Sequence, residues 1–174
     1  MRILMILIPD RDVSPSEHGA ELRLERFVIP YYVFVDAGID LVLASPGGGA
    51  PWIRSQANAA SPLPQLQRYQ ADRAVHDAVN DTLALDDVHA EDFGGAFCIG
   101  LPGPLWLEDS ADPAARMIAR FLDAGKPVAV IPSRLDIQPH GSRHGLLIIG
   151  EGEDQPAQAA RALLGALYAA DEIH

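Results

Sequence analysis

The sequence predicts an α/β protein, a doubly wound parallel sheet of five strands with helices on both faces. Three observations predict it. Five apolar runs of strand length recur along the 174 residues, at Ile3–Ile8, Asp40–Ser45, Ala96–Gly100, Lys126–Ile131 and Gly145–Gly150. Their apolar residues are consecutive rather than alternating, as in strands covered on both faces. Segments of helical periodicity separate most of them, so the connections read as crossovers that keep the strands parallel.

Each element follows from its residues. Ile3–Ile8 is a buried strand by composition, and residues 21–37 turn helical through Leu22, Leu24, Phe27, Val28, Tyr31, Tyr32, Phe34 and Val35. Pro30 lies inside that pattern and is expected to bend or divide the helix, because proline lacks the N–H and crowds the preceding turn. Gly38 ends it. The second strand, Asp40–Ser45, stops at Pro46-Gly-Gly-Gly49, and residues 50–67, with Pro51, Pro62 and Pro64, read as a long ordered loop. A helix is expected over Tyr69–Asn80, then a short edge strand at Asp81–Leu85. Asp112, Pro113 and Gly125 mark a helix by its cap, its first position and its stop. Gln155–Ala170 is an Ala/Leu-rich closing helix.

One domain over residues 1–174 is the expectation, since domains run to about 100–200 residues and no repeat or low-complexity tract divides the chain. Lys and Arg number 13 against 24 Asp and Glu, a formal charge of −11. That surface repels phosphate backbones, so nucleic acid is not an expected partner. The apolar run at residues 3–8 is shorter than the about 20 residues a bilayer span needs. It also lacks a small-residue cleavage site, so neither a membrane partner nor a signal peptide is expected and the location reads as cytoplasmic. The single cysteine, Cys98, excludes an internal disulfide and a Cys-rich metal centre.

Three segments resemble the ThiJ/PfpI family of the class I glutamine amidotransferase-like superfamily. Phe27-Val-Ile-Pro-Tyr-Tyr-Val-Phe-Val-Asp-Ala-Gly-Ile-Asp-Leu-Val-Leu-Ala-Ser-Pro-Gly-Gly48 is similar to a helix and second strand of its chaperone/glyoxalase-type branch. Glu91-Asp-Phe-Gly-Gly-Ala-Phe-Cys-Ile-Gly-Leu-Pro-Gly-Pro-Leu-Trp106 resembles that branch's strand and Gly-rich turn, and Ala124-Gly-Lys-Pro-Val-Ala-Val-Ile131 the strand before its catalytic turn. With a weaker match over Gly145–Ala170, the likeness spans most of the chain. It implies a flavodoxin-like sandwich with a site outside the carboxyl ends of the strands.

The same resemblance locates what is missing. In the family, the strand matching Lys126–Ile131 runs into a tight turn bearing a nucleophilic cysteine, then His-Gly; here the turn reads Pro132-Ser133-Arg134. Proline has no nucleophilic atom and fixes its own φ near −65°. The family's glutamate, four residues before the helix proline, corresponds to Arg26. Glu25 is adjacent, but one residue along a helix is a rotation of about 100°, which turns it elsewhere unless the register slips. The family's Gly-Gly-His-Gly is here Gly100-Leu101-Pro102-Gly103, and Pro102 has no N–H to offer a developing oxyanion. Only 13 residues separate Ile131 from Gly145, so the segment after the catalytic turn is short.

Other residues are candidates for chemistry. Cys98, mid-strand between Phe97 and Ile99, reads as a buried, inert thiol. Ser133 with His140 or His144 as base and Asp136 to orient it is a relocated hydrolase or glyoxalase-like constellation, though the same residues serve equally as a cap and turn. Asp10, Asp12, Glu17 and His18 carry metal-ligating groups on a loop that reads as solvated. Gly47–Gly49 and Gly150–Gly152 lack the Lys-Ser/Thr of a phosphate loop and the dinucleotide fingerprint. Arg26, Ser133 and Arg134 are candidate ligands for a small anionic metabolite, unless Arg26 pairs with Asp12 or Asp136. The expectation is a homo-oligomeric, dimeric binding, structural or stress-related protein without the family's cysteine-dependent activity, a pseudoenzyme with no cofactor. The alternatives are the relocated nucleophile and the anion sensor.

Overall fold

A computed structural model describes residues 1–9, 22–51, 53–54, 63–100, 112–131, 147–149 and 155–171. In chain order the elements are β1 (Arg2–Leu7), β2 (Leu22–Arg23), α1 (Leu24–Asp36), β3 (Asp40–Ser45), β4 (Ile53–Arg54), α2 (Pro64–Ala71), α3 (Arg73–Asn80) and β5 (Leu83–Ala84). Then follow β6 (Gly95–Ile99), α4 (Pro113–Asp123), β7 (Val128–Ile131), β8 (Leu147–Ile149) and α5 (Gln155–Asp171). Six strands form one sheet in the order β5-β3-β1-β6-β7-β8, and every neighbouring pair is parallel. Five of them are the expected strands; the sixth is the two-residue edge β5, inside the expected Asp81–Leu85. Without that edge the strands run 2-1-3-4-5, the flavodoxin-like order, and the topology switches between β1 and β6.

Alternation along the strands sorts the core into two layers. Ile3, Met5 and Leu7 of β1 and Phe97 and Ile99 of β6 join Phe27, Val28, Tyr32 and Phe34 of α1 and Leu163 and Leu167 of α5. Leu4 and Ile6, with Ala96 and Cys98, face the other way, onto Met117, Ile118 and Phe121 of α4. No helix among the described residues is long and apolar enough to cross a membrane.

Three local expectations are corrected. Of the bend or division expected at Pro30, the division does not occur: helix α1 runs from Leu24 to Asp36 with Pro30 buried inside it. A proline there deletes one backbone bond, and burial of most of the helix surface against α5, α2 and the sheet outweighs that loss. The single helix expected over Tyr69–Asn80 is two helices, α2 and α3, with the break at Asp72. Asp72 leaves helical geometry (φ −95°, ψ 94°) because its carboxylate caps α3, accepting from the amides of Ala74 at 3.1 Å and Val75 at 3.4 Å. Third, the span read as a loop, residues 50–67, contains β4 and the start of α2. β4 pairs in parallel with β2, Leu22 opposite Ile53 and Arg23 opposite Arg54, in a separate two-stranded sheet.

Asp72 also accepts a hydrogen bond from the Tyr32 hydroxyl at 3.2 Å, which ties α1 to the α2–α3 break. Above it, the Arg68 guanidinium lies 4.1 Å from the centre of the Tyr32 ring and pairs with Asp36 at 2.6 Å. Burial, then the charge of Asp72 and its hydrogen bond, push the Tyr32 phenol above its ordinary value of 10.0. The folded chain thus holds the phenol neutral where the unfolded chain would release its proton. The resulting contribution is complete below pH 10.0 and is lost as pH rises above it. Urea titrations between about pH 9 and 11 should show stability falling with pH, and Tyr32→Phe should flatten that fall.

Lys126, just before β7, directs its ammonium to three carbonyls, Ala90 at 2.9 Å, Glu91 at 3.2 Å and Phe93 at 2.7 Å. An ammonium has three donors, and all three are used to hold the approach to β6 against the approach to β7. Lys126→Met keeps the aliphatic stem and removes the donors. Its expected cost is about 1–3 kcal/mol in a urea unfolding titration.

Candidate functional site

The switch point puts the candidate site where β1, β6 and β7 end together, at Ile8, Gly100 and Ile131. Backbone bonds lock these ends: the Ile8 amide donates to the Ile99 carbonyl at 2.8 Å, and the Gly100 amide to the Ile131 carbonyl at 3.1 Å. Gly100 has φ +101°, and a Cβ placed on it would lie 2.2 Å from the Ile8 carbonyl oxygen. Only glycine fits that passage. Because its amide is already bonded to Ile131, Gly100 contributes no oxyanion donor at this point of the site.

Cys98 sits two residues earlier, wholly buried on the α4 side of β6. Its thiol donates weakly to the Gly100 carbonyl at 3.7 Å. Burial pushes the thiol far above its ordinary range, and the negative charge of Asp112 adds to that. The nucleophilic form of a cysteine is the thiolate. This thiol is held protonated and enclosed.

The head of α1 contributes the other described candidates. Arg26 lies in the first turn, half-buried, and enters no ion pair among the described residues. Its neighbour Glu25 is also in that turn, and its Oε2 oxygen is buried. Pro132, Ser133, Arg134, Asp136, His140 and His144 lie outside the described residues, as do Asp10, Asp12, Glu17, His18 and Gly150–Gly152.

The glycine run after β3 has a structural task. The Gly48 amide donates to the Ser45 carbonyl at 3.3 Å and the Gly49 amide to the Thr82 carbonyl at 2.8 Å. The Thr82 hydroxyl donates to the Gly49 carbonyl and lies 2.9 Å from the Ser45 hydroxyl. These groups tie the end of β3 to the edge β5 and leave the Gly48 and Gly49 amides nothing for a phosphate. Among the described residues no three His, Cys, Asp or Glu side chains gather as a metal site.

Sequence reasoning missed Asp72 and Lys126 as organising residues. Asp72 had a readable signal, a capping carboxylate directly before the apolar pattern of Val75 and Val79. Lys126 had none, since its three carbonyl partners follow from the tertiary fold.

Two outcomes test this geometry. Native protein should resist alkylation of Cys98 by iodoacetamide at neutral pH, and urea-unfolded protein should react fully, as read by mass spectrometry. Gly100→Ala should fail to accumulate as folded protein or lose several kcal/mol, about 3 or more, as read by circular dichroism and urea unfolding.

No protein-family model matches the sequence, and no curated protein matches it. Solved structures do share its architecture. The Rapid Encystment Protein of Francisella tularensis is 14% identical, with 95% of this chain and 98% of that one covered at a TM-score of 0.67. Glyoxalase III from Candida albicans is 14% identical over 95% of this chain and 96% of its own, TM-score 0.62. A ThiJ/PfpI domain protein from Brachyspira murdochii is 16% identical over 97% and 96%, TM-score 0.57. The chain therefore has the fold of the ThiJ/PfpI-type proteins along nearly its whole length.

Proposed function

We propose that this chain is a ThiJ/PfpI-type protein without the cysteine-dependent activity of that family, acting as a homo-oligomeric binding or structural protein. One observation carries the reading: its only thiol, Cys98, is sealed in the middle of β6 rather than presented beyond the end of β7. Past β7 the sequence continues as Pro132-Ser133-Arg134, which supplies no thiol at the position the family uses. Arg26 in place of the family's glutamate agrees with this, because a cation there cannot accept a proton from a nucleophile.

Purified protein assayed on methylglyoxal, on activated esters and on peptides should give no turnover above that of Cys98→Ala. Turnover abolished by Cys98→Ala would overturn the reading. So would activity lost in Ser133→Ala together with covalent labelling of Ser133 by a fluorophosphonate, which would install the relocated-nucleophile hydrolase instead.

A further inference from the structure

Three of the four tyrosines in the sequence gather where α1 meets α2 and α3: Tyr31 and Tyr32 on α1, and Tyr69 on α2. Their rings lie within aromatic contact range of one another or of Phe27. The centroids of Tyr31 and Tyr32 are 5.2 Å apart, with the rings edge to face. The Phe27 centroid is 5.2 Å from that of Tyr31 and 6.3 Å from that of Tyr69. Tyr31 and Tyr69 are half-buried, while Tyr32 is only 2% exposed. The cluster therefore has two outer phenols and one inner phenol.

The inner phenol has a proton acceptor in place. A phenol that loses an electron becomes a strong acid, so the electron leaves readily only where a base takes the proton. The Tyr32 hydroxyl donates to the Oδ2 oxygen of Asp72, whose Oδ1 oxygen is occupied by the amides of Ala74 and Val75. That leaves Oδ2 to receive the phenolic proton. The Arg68 guanidinium, 4.1 Å from the centre of the Tyr32 ring, opposes positive charge on it and so couples loss of the electron to loss of the proton. Burial keeps a radical on Tyr32 from coupling with the tyrosine of another molecule.

We propose that Tyr32 and Asp72 form a one-electron redox site, reached through Tyr31 and Tyr69, that takes up oxidising equivalents from diffusing radical oxidants. In the forward step the oxidant gains one electron and leaves as its anion. The Tyr32 O–H bond breaks, its proton passes to Asp72 Oδ2, and a neutral tyrosyl radical remains. In the return step a small reductant such as ascorbate supplies one electron and Asp72 gives back the proton, which restores both phenol and carboxylate. The site is separate from the switch point: Cys98 lies in the other core layer and takes no part. Its activity goes beyond the function proposed above and stands or falls without it.

Pulse radiolysis of the full chain, with azidyl radicals as oxidant, tests this by transient absorption and electron paramagnetic resonance. Wild type should hold a tyrosyl radical that outlives that of N-acetyltyrosinamide under the same conditions, and ascorbate should return the protein unmodified. Tyr31→Phe combined with Tyr69→Phe should slow the rise of that signal. Tyr32→Phe should lose the long-lived signal and accumulate dityrosine between molecules at Tyr31 and Tyr69, read by fluorescence and peptide mass spectrometry. Asp72→Asn keeps a capping side chain on α3 and removes the base. It should fold, as read by circular dichroism, and also lose the long-lived signal, which a merely structural Tyr32–Asp72 contact would not require. Absence of a long-lived tyrosyl in wild type overturns the proposal. So does a long-lived signal that survives in either variant, resides on tryptophan, or ends as oxidised Cys98.

Discussion

The passage of Gly100 beneath the Ile8 carbonyl is the constraint from which the carboxyl end of this sheet follows. A Cβ at that residue would sit 2.2 Å from the oxygen, so the chain leaves β6 with φ +101° and turns its amide toward β7. The Ile8 and Gly100 amides then close β1 onto β6 and β6 onto β7. Three strands end in register at the point where strand order reverses. That crevice is where an open α/β sheet binds and transforms small molecules.

The same register decides what each strand can present there. β6 alternates sides, so Phe97 and Ile99 face α1 and α5 while Ala96 and Cys98 face α4. Cys98 pairs with Val130 of β7 and is covered on its own side by α4. Moving the thiol outward by one position would place it under α1, and by two would place it at Gly100, where no side chain fits. Burial and the charge of Asp112 act on it in the same direction, toward the protonated thiol.

Much of the fold was legible because buried parallel strands and capped helices announce themselves in composition. The runs at Ile3–Ile8 and Ala96–Gly100 contain nothing but residues that survive two-sided burial, and Asp112-Pro113 is a cap followed by a first-turn proline. What was not legible depends on distant partners. Pro30 looked like a breaker because the compensating packing of α1 on α5 and the sheet is written 130 residues away, in Ala160 and Leu163. The short β2–β4 pair has too few residues for a pattern. Asp72 carried a cap signal, but its second task, accepting from the Tyr32 hydroxyl forty residues earlier, depends on the tertiary fold. At the site, the sequence showed which residue types were lacking, while the use of the Gly100, Gly48 and Gly49 amides could be seen only once their carbonyl partners were in place.

These restrictions combine into one argument about chemistry at the switch point. Among the described residues, the strand ends that border that crevice are those of β1, β6 and β7. β1 ends in Leu7, Ile8 and Pro9, which carry no nucleophilic atom. β6 cannot supply one, since its thiol faces α4 and its last position admits no side chain. That leaves the exit of β7, where Ile131 hands its carbonyl to Gly100 and the next residue is Pro132. A proline there is compatible with the bonding already made, because the carbonyl that Gly100 needs belongs to Ile131 and proline removes only its own N–H. The strand closure therefore needs no particular side chain after Ile131. The closure at Gly100 is thus independent of the chemistry carried by the residue after β7, which is the physical basis on which the function proposed above is compatible with this fold.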